Sequence, residues 1–320
     1  MGRYLIVLLG AVVLGMTACH NTAKPTGGTA QQGLVDSADF FYKRAVVEYD
    51  RDQLAQALLD ANRSVELNAQ NIEAYLLLSE IYFLLGDEPN ITMALDRAME
   101  LDPFDVRPIV KMAELSLLQQ NYNLAFGFID NALQINTFNP EAYYVKGMIY
   151  LAKQDTAMAM KNLLIAREQD ASFYEPQKEI CDIYLAQGNP LAVDFMRSLA
   201  GQFPDQPRAR YDLALFLQDH GAPEEALAHY DTLLMQQPNN SRLLFNKGYV
   251  YFVYLGDNEQ ALDYFDQALQ NDPDYVDALY NKGHVYEQMG NKAQAKAIYS
   301  EVLNRYPNYQ LAKEGMKRVK

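Results

Sequence analysis

One pattern of small and apolar positions recurs along the 320-residue chain at intervals of 33 to 35 residues. The first small position occurs eight times, at Ala45, Ser79, Ala113, Gly147, Cys181, Ala214, Gly248 and Gly283. A second follows about twelve residues later, at Ala57, Ile91, Ala125, Ala159, Ala192, Ala226, Ala261 and Ala295. Two antiparallel helices approach closely only where the side chains at their crossing are small, so the pattern predicts one helix pair per repeat.

Turn residues and helix-ending residues separate the predicted helices. A glycine followed by a polar residue reverses the chain within four repeats, at Gly86-Asp87, Gly188-Asn189, Gly256-Asp257 and Gly290-Asn291. Five repeats close with a proline, at Pro103, Pro204, Pro238, Pro273 and Pro307. Because proline ends a helix, each repeat is predicted to be a helix-turn-helix unit.

This pattern resembles the tetratricopeptide repeat, a 34-residue helix-turn-helix family. The resemblance implies an all-α fold, an α-solenoid with a right-handed superhelix of about eight units. The array covers residues 38–307, with units starting near residues 38, 72, 106, 140, 174, 207, 241 and 276. Residues 308–320 carry Leu311, Met316 and Val319 and predict a C-terminal capping helix, because an array leaves the apolar face of its last unit uncovered.

The N-terminus carries a short apolar run, Leu5–Leu14, behind the positive charge of Arg3. This run has about half of the roughly 20 apolar residues that a membrane-spanning helix needs, so it predicts a cleaved secretory signal. Residues 20–37 are polar and contain Pro25 and Gly28. We expect them to form a flexible tether.

The end of the apolar segment, Met16-Thr17-Ala18-Cys19, resembles the signal of bacterial lipoproteins, although Met16 stands where that family usually has leucine. The resemblance implies that residues 1–18 are removed, that Cys19 is acylated with palmitate, and that residues 19–37 tether the array. His20 replaces the aspartate that holds many lipoproteins at the inner membrane, which favours the outer membrane. No acidic run follows, which favours the periplasmic face. An ordinary cleaved signal with an incidental cysteine is the alternative.

The sequence offers no convergent set of catalytic or metal-binding residues. The four histidines lie in different predicted elements without ligand spacing, and there is no glycine-rich phosphate loop. We therefore predict no enzymatic activity, no metal and no cofactor. Cys181 occupies a small position and is interpreted as helix packing. The formal net charge of −14 disfavours nucleic acid as a partner.

In tetratricopeptide repeats, first-helix residues near the small position line a concave groove. The resemblance places mostly apolar and aromatic side chains there, which suits an extended or helical peptide. The candidate groove residues are Tyr144, Tyr211, Phe245, Tyr249, Phe252, Tyr280 and His284, with Asn246 and Asn281 two residues before the small position. An asparagine amide can pair with a peptide backbone, but asparagine is also simply common at this position.

Together the resemblances imply a noncatalytic scaffold or adaptor at the outer membrane. It would bind envelope proteins or peptide segments for the assembly or regulation of secretion, pilus or peptidoglycan machinery. Two alternatives stay open: a glycan-binding or small-ligand accessory of an outer-membrane transporter, and an oligomerisation device. The sequence does not predict the oligomeric state.

Overall fold

The computed structural model describes residues 27–320, with side chains described at Val35 and from Ser37 onward. These residues form 17 α-helices, one π-helical turn and no strand, so the predicted all-α repeat fold is confirmed. The helices are α1 Gly27–Asp50, α2 Leu54–Leu67, α3 Ile72–Leu85, α4 Glu88–Leu101, α5 Val106–Leu118, α6 Tyr122–Ile135, α7 Pro140–Ala152, α8 Thr156–Gln169, α9 Tyr174–Ala186, α10 Ala192–Gln202, α11 Pro207–Asp219, α12 Pro223–Gln236, α13 Ser241–Tyr249 with the π turn Val250–Leu255, α14 Asn258–Asn271, α15 Val276–Gln288, α16 Lys292–Arg305 and α17 Gln310–Arg318. The predicted signal, residues 1–18, and Cys19 lie outside the described residues.

The chain divides into two compact units, and the boundary falls inside α5, between Met112 and Ala113. In the first unit, α1 packs on α2 and α3 packs on α4 around Ala57, Leu77 and Ile81. In the second unit, the pairs include α7 with α8, α11 with α12, α13 with α14 and α15 with α16. From α3 onward, the first helix of each pair begins at the residue where the sequence pattern starts a unit.

Both rows of small residues are buried where the two helices of a pair cross. Glycine is used where the facing side chain is large. A Cβ atom on Gly248 would lie 2.8 Å from the ring of Phe265, and one on Gly283 would lie 2.9 Å from the ring of Tyr299. Contacts this short do not occur between real atoms, so these two crossings require glycine.

One repeat is a residue longer than its neighbours, and the extra residue lies in the π turn Val250–Leu255, which continues α13. At the end of α15, a helix of regular length, the N–H of Asn291 donates to the carbonyl of Tyr286, five residues back. At the end of the π turn, the N–H of Asp257 donates to the carbonyl of Tyr251, six residues back. The insertion is therefore absorbed within the helix, as π-helical turns allow.

The predicted tether was too long at its C-terminal end. Helix α1 begins at Gly27, so residues 27–37 are helical instead of flexible. The physical reason is composition: Ala30, Gln31 and Leu34 favour helix, and Pro25 lies upstream of this segment, where it does not interrupt the helix.

The predicted C-terminal capping segment contains α17, which packs against α16. Ala312 and Val319 are buried against Tyr299, and the guanidinium of Arg318 forms an ion pair with Glu287, with an Nε–Oε1 distance of 2.6 Å. The apolar end of α16 is thereby covered. No helix in the described part of the chain is long and apolar enough to cross a bilayer.

Candidate functional site

Eight of the nine predicted groove residues lie on the first helices of three consecutive pairs in the second unit. They are Tyr211 on α11, Phe245, Asn246 and Tyr249 on α13, Phe252 on the π turn, and Tyr280, Asn281 and His284 on α15. We call this set the aromatic face. Tyr144 is separate: it lies on α7 and packs its ring against Phe173, with centroids 5.3 Å apart. Burial raises the pKa of Tyr144 to about 12.

Three members of the aromatic face are buried and serve packing. Asn246, Phe252 and Tyr280 are each less than a tenth exposed. The amide of Asn246 donates to the hydroxyl of Tyr211 at 3.1 Å, and the ring of Tyr280 stacks on Tyr299 at 5.7 Å. The sequence pattern places these residues on the correct helix, but it does not show that their side chains turn inward.

The two asparagines use their amide donors inside the protein. Asn246 binds Tyr211, as described, and Asn281 donates to the carbonyl of Asp277 in its own helix at 2.7 Å. Neither amide donor is thus available to clasp a peptide backbone in this arrangement. The interpretation that asparagine has a structural role at this position fits the geometry better.

The accessible part of the aromatic face centres on Tyr249. Its ring lies 6.1 Å from that of Phe245 and 6.1 Å from that of Tyr254. His284 closes one side through an edge contact with Phe252 at 5.1 Å. Burial lowers the pKa of His284 below its ordinary value, so this imidazole is neutral near pH 7.

The π turn adds two side chains that the sequence analysis missed. Val253 and Tyr254 are 48% and 38% exposed. The hydroxyl of Tyr254 donates to Oδ1 of Asp219 on α11 at 2.6 Å, and this hydrogen bond raises the pKa of Tyr254 to about 12. The available signal was the 35-residue interval between Gly248 and Gly283, which marks an insertion beside the groove positions.

The reactive groups of the described chain do not assemble into a catalytic site. Cys181 is buried, and burial raises the pKa of its thiol to about 11, so it is protonated and unreactive at physiological pH. Among residues 37–320, no group of three or more histidine, cysteine, aspartate or glutamate side chains is placed to hold a metal ion. The aromatic face can act by packing and hydrogen bonding.

Tetratricopeptide repeat family models match residues 140–164, 184–244 and 253–317. These segments of the chain are tetratricopeptide repeats, and they contain every residue of the aromatic face except Asn246, Phe245, Tyr249 and Phe252, which lie between the last two matches. Proteins with this fold are typically noncatalytic interaction scaffolds. No curated protein matches the chain.

Three solved structures of similar fold have low sequence identity. The C-terminal part of a TPR repeat-containing protein from Cytophaga hutchinsonii is 16% identical, with a TM-score of 0.54 over 86% of this chain and 99% of that one. The Cut9–Hcn1 hetero-tetramer of the APC/C is 16% identical, with a TM-score of 0.51 over 92% of this chain and 57% of that one. YrrB, described as a TPR protein with an unusual peptide-binding site, is 24% identical, with a TM-score of 0.47 over 60% and 98%.

Proposed function

We propose that this chain is a noncatalytic scaffold that binds a peptide segment of a partner protein on the aromatic face of its second unit. The partner is a protein of the bacterial envelope. The chain is held at the outer membrane by acylated Cys19 and faces the periplasm. Its role is to assemble or regulate an envelope complex of the secretion, pilus or peptidoglycan class.

The observation that carries this proposal is the exposed aromatic surface around Tyr249. Tyr249 is half-buried, and beside it Val253 and Tyr254 are exposed on the π turn. Aromatic rings held in place by packing give large contact area with little loss of side-chain entropy, which is why they dominate binding sites for protein segments. Since Phe245 packs beneath Tyr249, the surface is largely pre-formed.

The binding proposal is tested by capture from detergent-solubilised envelopes with the full chain as bait. Replacing Tyr249 and Tyr254 with alanine removes exposed contact area and leaves the buried Tyr280 in place. We expect a reproducible partner to be lost from this double variant. Met235→Ala is the matched control, because Met235 is 83% exposed on α12, a second helix. An unchanged partner set in the double variant would refute the assignment of this face.

The anchoring proposal has its own test. Cys19→Ser removes the sulfur that would be acylated, so we expect the variant to move from the membrane fraction to the soluble periplasmic fraction while it remains folded. A variant that stays in the membrane fraction would contradict a lipid anchor at Cys19. This result would leave the aromatic face unaffected as a binding surface.

Glycan binding and self-association are the competing outcomes. Aromatic rings also stack on sugars, so calorimetry with peptidoglycan fragments is run beside the capture experiment. Heat from a glycan together with no protein partner would favour the accessory role. A mass that rises with concentration, with no other partner, would favour an oligomerisation device.

A further inference from the structure

A small basic cavity lies next to the aromatic face, between the N-terminal ends of α11 and α13. It encloses about 230 Å³, and its lining includes Arg208, Tyr211, Gln237, Asn240 and Arg242. Pockets for separate drug-sized ligands usually measure about 300–1,000 Å³. The cavity therefore fits one side chain or one chain end of a larger partner.

The hydrogen-bond donors around this cavity are only partly used by the protein. Nε of Arg208 donates to Asp212 at 2.8 Å, and the structure shows no other bond for that guanidinium. The guanidinium of Arg242 is exposed and forms no ion pair within residues 37–320. The hydroxyl of Tyr211 accepts the amide of Asn246, so its own proton is free to be donated.

The neighbouring polar groups hold these donors in place. Oδ1 of Asn240 accepts the backbone N–H groups of Arg242 and Leu243 at 3.1 and 3.2 Å, which caps α13 and fixes the backbone that carries Arg242. Nδ2 of Asn240 donates to Gln237 at 2.7 Å. The cavity thus has an ordered backbone on the side from which Arg242 projects.

We propose that this cavity binds a carboxylate of the partner segment that lies on the aromatic face. This inference rests on the proposed function and specifies its ligand: a segment with an aspartate, a glutamate or a free C-terminus beside its apolar residues. Guanidinium groups bind carboxylates through two parallel, charge-assisted hydrogen bonds, and Arg242 has this capacity unused. Tyr211 supplies a third donor and joins the cavity to the aromatic face.

The charge of the whole chain narrows the ligand class further. The net charge is −14, so a polyanion is repelled at long range. A segment that brings one carboxylate into local contact with two guanidinium groups avoids most of that repulsion. Asp212 already balances part of the charge of Arg208, which also suits a single negative charge.

The experiment selects binders from a random heptapeptide library with the full chain in detergent, in two presentations, with free and with amidated C-termini. We expect the selected peptides to share a carboxylate, either at one fixed position or at the free C-terminus, together with apolar residues. Replacing that side-chain carboxylate by its amide, or amidating the C-terminus, should weaken binding at least about tenfold, as measured by fluorescence anisotropy. The same replacement should have no effect on binding to the Arg242→Gln variant.

Arg63→Gln is the matched control, because Arg63 is an exposed arginine on α2 in the other unit. Peptides selected without a shared carboxylate, or an equal amide effect in the wild type and in Arg242→Gln, would overturn the carboxylate site. If those peptides still depend on Tyr249, the proposed function stands without it. A library that yields no binder contradicts both.

Discussion

Two neighbouring helix pairs of the second unit show how this repeat tolerates an insertion. The inserted pair comprises α13, its π turn and α14, residues 241–271, and the regular pair comprises α15 and α16, residues 276–305. Each has a glycine at the crossing, Gly248 in one and Gly283 in the other, and each glycine faces an aromatic ring. The crossing is thus the same on both sides of the insertion.

The contact with the preceding helix is also preserved. Lys247 of the inserted pair binds Asp231, and Lys282 of the regular pair binds Asp266, both sixteen residues earlier in the chain. The extra residue follows these contacts in α13 and precedes the turn, where it changes only the exposed end of the helix. The difference between the pairs is therefore a local surface, with Val253 and Tyr254 displayed beside Tyr249.

The sharpest way to break this comparison is to delete one exposed residue from each pair. Deletion of Val253 should restore an ordinary α-helix and change the free energy of unfolding by less than about 1 kcal/mol. Deletion of Met289, which is similarly exposed near the end of α15, should cost more than about 2 kcal/mol, because it puts a regular helix out of register with its turn. Urea unfolding measures both. Equal losses would show that the π turn is not a removable insertion.

A second prediction concerns the shared crossing. Gly248→Ala and Gly283→Ala should each destabilise the fold by about 1–2 kcal/mol, because the new methyl group meets an aromatic ring. Thermal unfolding should give similar losses for the two variants, since the insertion lies beyond the crossing. Gly127→Ala is the control: it lies in α6 with open space around it and should stabilise by about 0.5–1 kcal/mol. A much smaller loss for Gly248→Ala would mean that the insertion loosens its crossing.

The pairs should also differ in acid. The hydrogen bonds from Arg318 hold the pKa of Glu287 below its ordinary value, whereas the inserted pair has uncharged Phe252 at the equivalent position. A carboxyl whose pKa is lower in the folded state stabilises above its unfolded pKa of about 4.3, and this stabilisation is lost as the pH falls through the folded pKa. Hydrogen exchange should therefore show α17 loosening below about pH 4.

Glu287→Gln is the control for this acid effect, since glutamine keeps the size of the side chain and does not titrate. In this variant, the exchange of residues 310–318 should no longer depend on pH in the acid range. The exchange of α14 should be the same in both proteins. Acid loosening of α17 that persists in Glu287→Gln would assign the effect to another group.

The smallest expected effect concerns the bond that the insertion creates. Asp219→Asn removes the negative charge beside Tyr254, so the pKa of Tyr254 should fall from about 12 towards the ordinary value of 10.0. Carbon NMR titration of labelled tyrosine, assigned with Tyr254→Phe, measures this shift. The free energy of unfolding should change by less than about 0.5 kcal/mol, because the pair is exposed. An unchanged pKa would remove Asp219 as its cause.

Most of the helix pairing could be predicted from the sequence, because crossing helices impose small residues at a fixed spacing. The N-terminal extension of α1 could not, since residues 27–37 have no small-residue partner in the repeat pattern and only weak helix signals. For the candidate site, the spacing identified the helices but not the direction of each side chain. Asn246 and Tyr280 turn into the core because of the neighbours that they meet, Tyr211 and Tyr299.

The basic cavity was also outside the reach of the repeat pattern. Arg208 and Arg242 stand at the starts of two first helices, and their shared cavity depends on the end of the intervening α12. Such a site is assembled from three elements, so no local motif marks it. Its discovery changes the expected ligand from a purely apolar segment to one that also carries a carboxylate.

Site-specific photocrosslinking in intact cells tests the central claim most directly. A photoreactive phenylalanine analogue placed at Tyr249 or Tyr254 should crosslink the same partner protein, because both positions lie on the proposed binding surface. The same analogue at Met235, which is more exposed but lies on a second helix, should give no such product. Equal crosslinking from all three positions, or a partner captured only from Met235, would contradict the account.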